Sequence, residues 1–190
     1  MSVDLFQPIT NPITKETNRT LSANTEAYVF EWIVAPGGYV PFEHIHLLQD
    51  EIFCVEAGEV KLVIDGKELI GKPGDVITVP KGKRHIAYNN KNETLKAIVE
   101  FRPGLDMHLL EQCYNGLLLD GEYDKKGSPP ILKLGYFMKG MQALTRPASV
   151  PAFAFGLMVK FSYCLGVSLG WKNLYKNIRE ATKIEMAHFD

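Results

Sequence analysis

Residues 38–58, GYVPFEHIHLLQDEIFCVEAG, and residues 74–89, GDVITVPKGKRHIAYN, decide how this chain is read. The first spells Gly38-x5-His44-x-His46-x4-Glu51-x6-Gly58. The second spells Gly74-x5-Pro80-x-Gly82-x2-His85-x3-Asn89. Alternate side chains of a strand share a face, so His44 and His46 point the same way. Glu51 follows after a short turn, at the head of the next strand. There Glu51, Phe53 and Val55 share the inward face, and Cys54 points away. His85 opens a strand further on, which a hairpin pairing returns to the first three. Three imidazoles and one carboxylate suit a divalent Fe, Mn, Ni, Co, Cu or Zn ion. On a six-coordinate ion they leave two positions open. On tetrahedral zinc they would close the site, which favours a structural over a catalytic zinc.

Outward from these stretches, residues 26–103 read as short strands between turns. AYVFEWIV (27–34) closes at Pro36-Gly37-Gly38. VKLVI (60–64) meets Asp65-Gly66, a two-residue hairpin signal. DVITVP (75–80), HIAY (85–88) and LKAIVEF (95–101) complete a set that predicts an all-β barrel or sandwich. Gly38, Gly58, Gly74 and Gly82 are expected at sharp turns with positive φ. Pro80 is expected to end a strand, and Asn89 to bond local backbone.

The flanks differ. Residues 1–25 are polar and rich in Pro, Thr and Asn, and read as an arm or loop. Residues 104–190 read as a helical extension. LDMHLLEQCYNGLLL (105–119) has helical period, as does LKLGYFMKGMQAL (132–144). The run 152–171 is nearly all apolar or small, with Lys160 in its middle, and WKNLYKNIREATK (171–183) reads as a closing amphipathic helix. Ser162, Gly166 and Gly170 have small-xxx-small spacing, which suits close helix packing. Residues 131–179 contain seven Lys/Arg and no acid. Two readings stand open for this tail: a helical lid or dimer layer packed on the barrel, or attachment to a membrane.

Composition narrows the function. A 46% hydrophobic content is enough for a buried core, and a net charge of −1 argues against nucleic-acid binding. Three widely spaced cysteines, with no CxxC, and a start lacking a secretory leader predict a cytoplasmic protein, possible membrane attachment aside. Near the strands, Tyr39, Tyr88, Glu100 and Arg102 are candidate proton handlers. Phe53 and Ala87 are expected to line an apolar cavity, Tyr88 to pack outside it and Glu100 to be solvated or ion-paired. Lys81, Lys83 and Arg84 form a basic cluster at the turn before His85, which reads as a solvated turn.

Both quoted patterns resemble the two motifs of the cupin superfamily, complete at every position and separated by the short segment 59–73. The resemblance covers residues 26–102. It implies a small antiparallel jelly-roll β-barrel, often a dimer, with an ion held by His44, His46, Glu51 and His85. Cupins include dioxygenases, isomerases, decarboxylases, binders and storage proteins, so the resemblance does not name a reaction. The sequence reading is a metal-binding cupin, foremost an oxygenase acting on a small organic molecule. Its alternatives are an isomerase or epimerase, or a non-catalytic ligand or metal sensor whose tail meets a membrane or partner.

Overall fold

The computed structural model describes residues 4–171. Two antiparallel sheets face one another. One has six strands in the order β1 (Ile9–Asn11), β2 (Glu16–Ala23), β3 (Tyr28–Val34), β10 (Leu95–Arg102), β5 (Asp50–Ala57) and β8 (Val76–Val79). The other has five, in the order β11 (Thr145–Pro147), β4 (His44–His46), β9 (His85–Tyr88), β6 (Val60–Ile64) and β7 (Lys67–Gly71). This is the jelly-roll layout expected of a cupin, as two facing sheets that hydrogen bonds do not close into one barrel.

Strict alternation builds the core. Tyr28, Phe30, Trp32 and Val34 of β3 point inward, as do Leu95, Ala97, Val99 and Phe101 of the adjacent β10. Aromatic and β-branched side chains on paired strands bury large area on one face, the main drive for sheet formation. Asp65 and Gly66 join β6 to β7 with φ of 49° and 81°, the doubly left-handed geometry of a tight hairpin. Gly58, Gly74 and Gly82 have positive φ as expected, and Gly38 does not. Its neighbour Gly37 takes that role, with φ 72°. A Cβ on Gly38 would stand 2.5 Å from Val34 Cγ1 and 2.8 Å from the Thr14 carbonyl oxygen, so this glycine permits a close approach.

Residues 16–23 are not an arm. They form β2, paired with β3 from Glu16↔Val34 to Ala23↔Tyr28. Their inward residues, Glu16, Asn18 and Thr20, are polar, so the hydrophobic alternation that marks a strand is missing.

Beyond β10 the chain turns into α1 (Met107–Leu119), α2 (Ile131–Met138) and α3 (Ala152–Ser168). The expected helix over 132–144 ends at Met138. Gly140 lies in the left-handed region at φ 93°, and the chain then leaves to pair Thr145 with His46 as β11. Asp106 accepts backbone N–H bonds from Gln142 and Ala143, which pins this turn to the start of α1. Helices α2 and α3 cross at their small residues. A Cβ on Gly135 would lie 2.9 Å from Ser162 Oγ, and one on Gly166 2.3 Å from Tyr136 Cδ2. Phe155 and Val159 of α3 join the core, while Phe153, Leu157 and Phe161 are exposed on its other side. No described helix is long and apolar enough to cross a membrane. All but the first residue of the expected closing helix, 171–183, lies outside the described residues.

Candidate metal centre

Four side chains meet between the sheets. His44 and His46 stand on β4, and His85 on β9 directly opposite His44. Glu51 reaches across from β5 of the other sheet. One donor atom from each lies within 4.8 Å of all the others, and all four residues are buried. His44 Nε2 is 3.1 Å from His46 Nε2, Glu51 Oε2 is 2.7 Å from His85 Nε2, and it is 3.4 Å from His46 Nε2. Donors at bond lengths of about 2.0–2.2 Å from a shared ion stand roughly 2.8–3.6 Å apart.

The outer nitrogens explain why the inner ones converge. His44 Nδ1 donates to the Phe42 carbonyl at 3.0 Å, and His85 Nδ1 to the Lys83 carbonyl at 3.1 Å. A carbonyl only accepts, so each Nδ1 carries a proton, and each ring, when neutral, turns an Nε2 lone pair inward. His46 Nδ1 lies 3.0 Å from the Thr145 hydroxyl, across the β4–β11 pair. Outer partners of this kind fix ring orientation in metal sites. Lone pairs facing one another at these distances require a positive charge between them, either a proton or a metal ion.

The titration behaviour agrees. Burial, with His85 and His46 adding to it, pushes His44 down to about 3. Burial also lowers His46. Burial alone would raise Glu51, but its bonds with His46 and His85 outweigh it and hold the carboxyl well below the usual range. Burial lowers His85, but the partner Glu51 more than reverses this. In neutral solution the cluster thus offers an ionised carboxylate and two firmly neutral imidazoles, the forms that bind metal.

A cavity of about 290 Å³ opens beside the cluster, just under the roughly 300–1,000 Å³ usual for small-molecule sites. His44, His46 and Glu51 line it, and its walls are largely aromatic and aliphatic: Phe30, Trp32, Phe53 and Phe101 from the sheet, with Leu110 and Met138 from the helices. Helices α1, α2 and α3 all contribute, so the extension covers the open side of the sandwich.

Other sequence candidates fall elsewhere. Phe53 lines the cavity, whereas Ala87 is buried in the core without lining it. Tyr39 and Tyr88 form a bridge away from the cavity, and Cys54 is only half-buried, on the other face of β5. Glu100 pairs with Arg102. Lys83 pairs with Asp65 and Arg84 with Glu43, so the basic turn is a solvated set of ion pairs. Asn89 is fully buried and bonds the Val34 and Glu93 carbonyls, a structural role.

Sequence reasoning missed Glu16, Asn18, Glu111 and Tyr114, which also line the cavity. Glu16 and Asn18 sat in a segment read as irregular. Glu111 and Tyr114 are three apart on α1, a spacing that does place two side chains on one helix face. Nothing in the sequence said which face met the cavity.

A family model described as "Cupin domain" matches residues 30–101. No curated protein matches the chain. Among solved structures, the chain is similar to an uncharacterized conserved protein with a double-stranded beta-helix domain from Klebsiella pneumoniae, at 23% identity over 55% of this chain and 84% of that one, TM-score 0.46. It is also similar to a sugar phosphate isomerase from Silicibacter pomeroyi, at 24% identity over 47% and 60%, TM-score 0.44. KdgF from Halomonas sp. matches at 19% identity over 50% and 85%, TM-score 0.45. With both motifs in place on a jelly-roll, residues 30–101 of this chain belong to the cupin superfamily.

Proposed function

We propose that the protein is a mononuclear metalloenzyme of the oxygenase type, acting on a small and largely apolar organic molecule. The observation that carries this reading is the convergence of four buried donor atoms, three of them from residues that line a largely apolar cavity. His44, His46, Glu51 and His85 would hold the ion. A divalent metal held by four such donors supplies Lewis acidity and, if redox-active, the means to use dioxygen.

The chain's own residues prepare that site. Phe42 and Phe101 stand edge-on to His44 and His46, with ring centroids 5.7 and 4.7 Å away, and screen the cluster from water. Phe42, Lys83 and Thr145 hold the outer nitrogens, so the imidazoles keep one orientation before any ligand arrives. Trp32, Phe53 and Leu110 offer surface to an apolar substrate body, which supports the oxygenase reading over a sugar isomerase.

The test is metal analysis of protein purified from its natural host, followed by oxygen uptake with a panel of phenols, thiols, diketones and aromatic amines. One equivalent of Fe or Mn and substrate-dependent uptake are expected. A metal-replete protein that consumes no oxygen with any of the panel refutes the oxygenase reading. Turnover of a panel compound without oxygen would favour the isomerase instead.

A further inference from the structure

We propose that Glu16, Asn18 and Glu111 form a receptor for the ammonium group of a small organic amine whose apolar body lies along Trp32 and Phe53. This deepens the enzyme reading above by naming its substrate class, and it rests on that reading only for the choice of cavity. Glu16 and Asn18 come from β2 and Glu111 from α1, all outside the segment that matches the cupin family. The receptor is therefore particular to this chain's flanks.

One part of the wall carries acceptors. Glu16 is more than nine-tenths buried, and its Oε1 accepts from Trp32 Nε1 at 3.0 Å. Glu111 Oε2 accepts from Asn115 Nδ2 at a long 3.4 Å. Asn18 Oδ1 is buried and has no hydrogen-bond partner. Among the described residues, no lysine or arginine lines the cavity. Two carboxyls and an amide oxygen thus share one cavity with no lysine or arginine to answer them. Buried polar groups are normally paired, so an unpartnered Asn18 Oδ1 beside two carboxyls that lack a counter-charge points to a ligand that supplies the donors. An ammonium carries three N–H donors, no acceptor and one positive charge. Trp32, whose ring meets Phe53 edge-on at 5.7 Å, adds an aromatic face that favours a cation.

Titration supports the same conclusion. Burial raises Glu16 to about 7, with the charges of Glu111 and Glu51 adding to it and bonds from Thr14 and Trp32 opposing it. Burial raises Glu111 to about 7 as well, with Glu51 adding and Asn115 opposing. Both carboxyls resist ionisation chiefly because they are buried, and an ammonium would supply the counter-charge that their surroundings lack. The Tyr114 phenol on this wall is pushed up by burial and stays neutral. Anionic substrates would meet this wall at a disadvantage.

The test uses calorimetric titration of the full-length, metal-loaded protein near neutral pH with two size-matched probes, benzylamine and benzyl alcohol. The amine is expected to bind about tenfold tighter or more, the ratio a charged hydrogen bond supports. In the double variant Glu16→Gln/Glu111→Gln the amine should lose that advantage while the alcohol binds as before. Equal affinity of the two probes for the wild-type protein overturns the proposal, as does an amine preference that survives both substitutions. If the double variant does not fold, as read by circular dichroism, the wild-type comparison decides alone. Metal analysis of the same samples separates the two readings. A metal-replete protein without amine preference sinks the receptor alone, and amine preference in protein that retains no metal sinks the metal centre alone.

Discussion

Replacing Glu16 by glutamine should make the protein more stable at high pH and leave it nearly unchanged at low pH. Glu16 titrates at about 7 in the folded chain, against an ordinary 4.5, chiefly because burial disfavours its charge. Below pH 4.5 the carboxyl is protonated in the folded and the unfolded chain alike. Between 4.5 and 7 the unfolded chain releases its proton and the folded chain does not, so folding loses stability as pH rises. Above 7 both forms are ionised and the loss is complete. A pKa gap of this size corresponds to about 3 kcal/mol, and mutual relaxation with Glu111 brings the expected figure to about 2–3 kcal/mol. Glutamine keeps an oxygen for Trp32 Nε1 and removes the titration. Urea unfolding of chelator-treated wild type and Glu16→Gln, from pH 4.5 to 8.5, reads the difference directly. Histidine titrations are common to both proteins and cancel. The variant's advantage should grow through pH 5–7 and level off above. An advantage independent of pH, or one that shrinks as pH rises, refutes the argument.

Other outcomes follow from the same structure. His85→Ala and Glu51→Gln should each abolish stoichiometric metal on elemental analysis, and retention of a full equivalent by both would refute the ligand assignment. Thr145→Val, which removes the hydroxyl beside His46 Nδ1, should weaken metal affinity by about 10–100-fold in competition with a chelator. An unchanged affinity would make β11 irrelevant to the site. Metal supplied at about 100 times its dissociation constant should stabilise the chain by about 2.7 kcal/mol, seen as a chelator-reversible rise in melting temperature. No rise would mean that the folded cluster does not bind the ion. Gly166→Ala places a methyl against the Tyr136 ring and should cost about 1–3 kcal/mol in denaturant unfolding, and a neutral result would show that α2 and α3 are free to move apart.

What the sequence disclosed and what it hid divide along a physical line. The His/Glu cluster was legible because its geometry is local to strands: i, i+2 places His44 and His46 on one face, and turn-forming residues bracket each motif. The strands with apolar inward faces, such as β3 and β10, announced themselves by alternation. β11 was invisible because three residues, Thr145–Pro147, carry no periodicity, and only the distant β4 makes them a strand. The early end of α2 at Met138 was hidden for a related reason. Apolar spacing continued through Leu144, but Gly140 and the pull toward β11 took the chain elsewhere.

β2 was missed for a reason that bears on function. A strand is recognised by apolar residues on its buried face, because the buried face usually meets a packed core. Glu16 and Asn18 lie on the buried face of β2 and meet a cavity instead. A buried Glu16 that titrates near 7 weakens the fold at neutral pH, and sheet formation alone does not require it. Valine or threonine at position 16 would remove that cost and would pair with Val34 equally well. The disruption of pattern and the loss of stability therefore coincide at one residue, in the cavity that the His/Glu cluster lines. Local rules broken in this way are characteristic of sites that handle ligands. Had β2 alternated cleanly, the strand would have been easier to foresee, and the cavity would have carried one fewer group able to recognise a charged substrate.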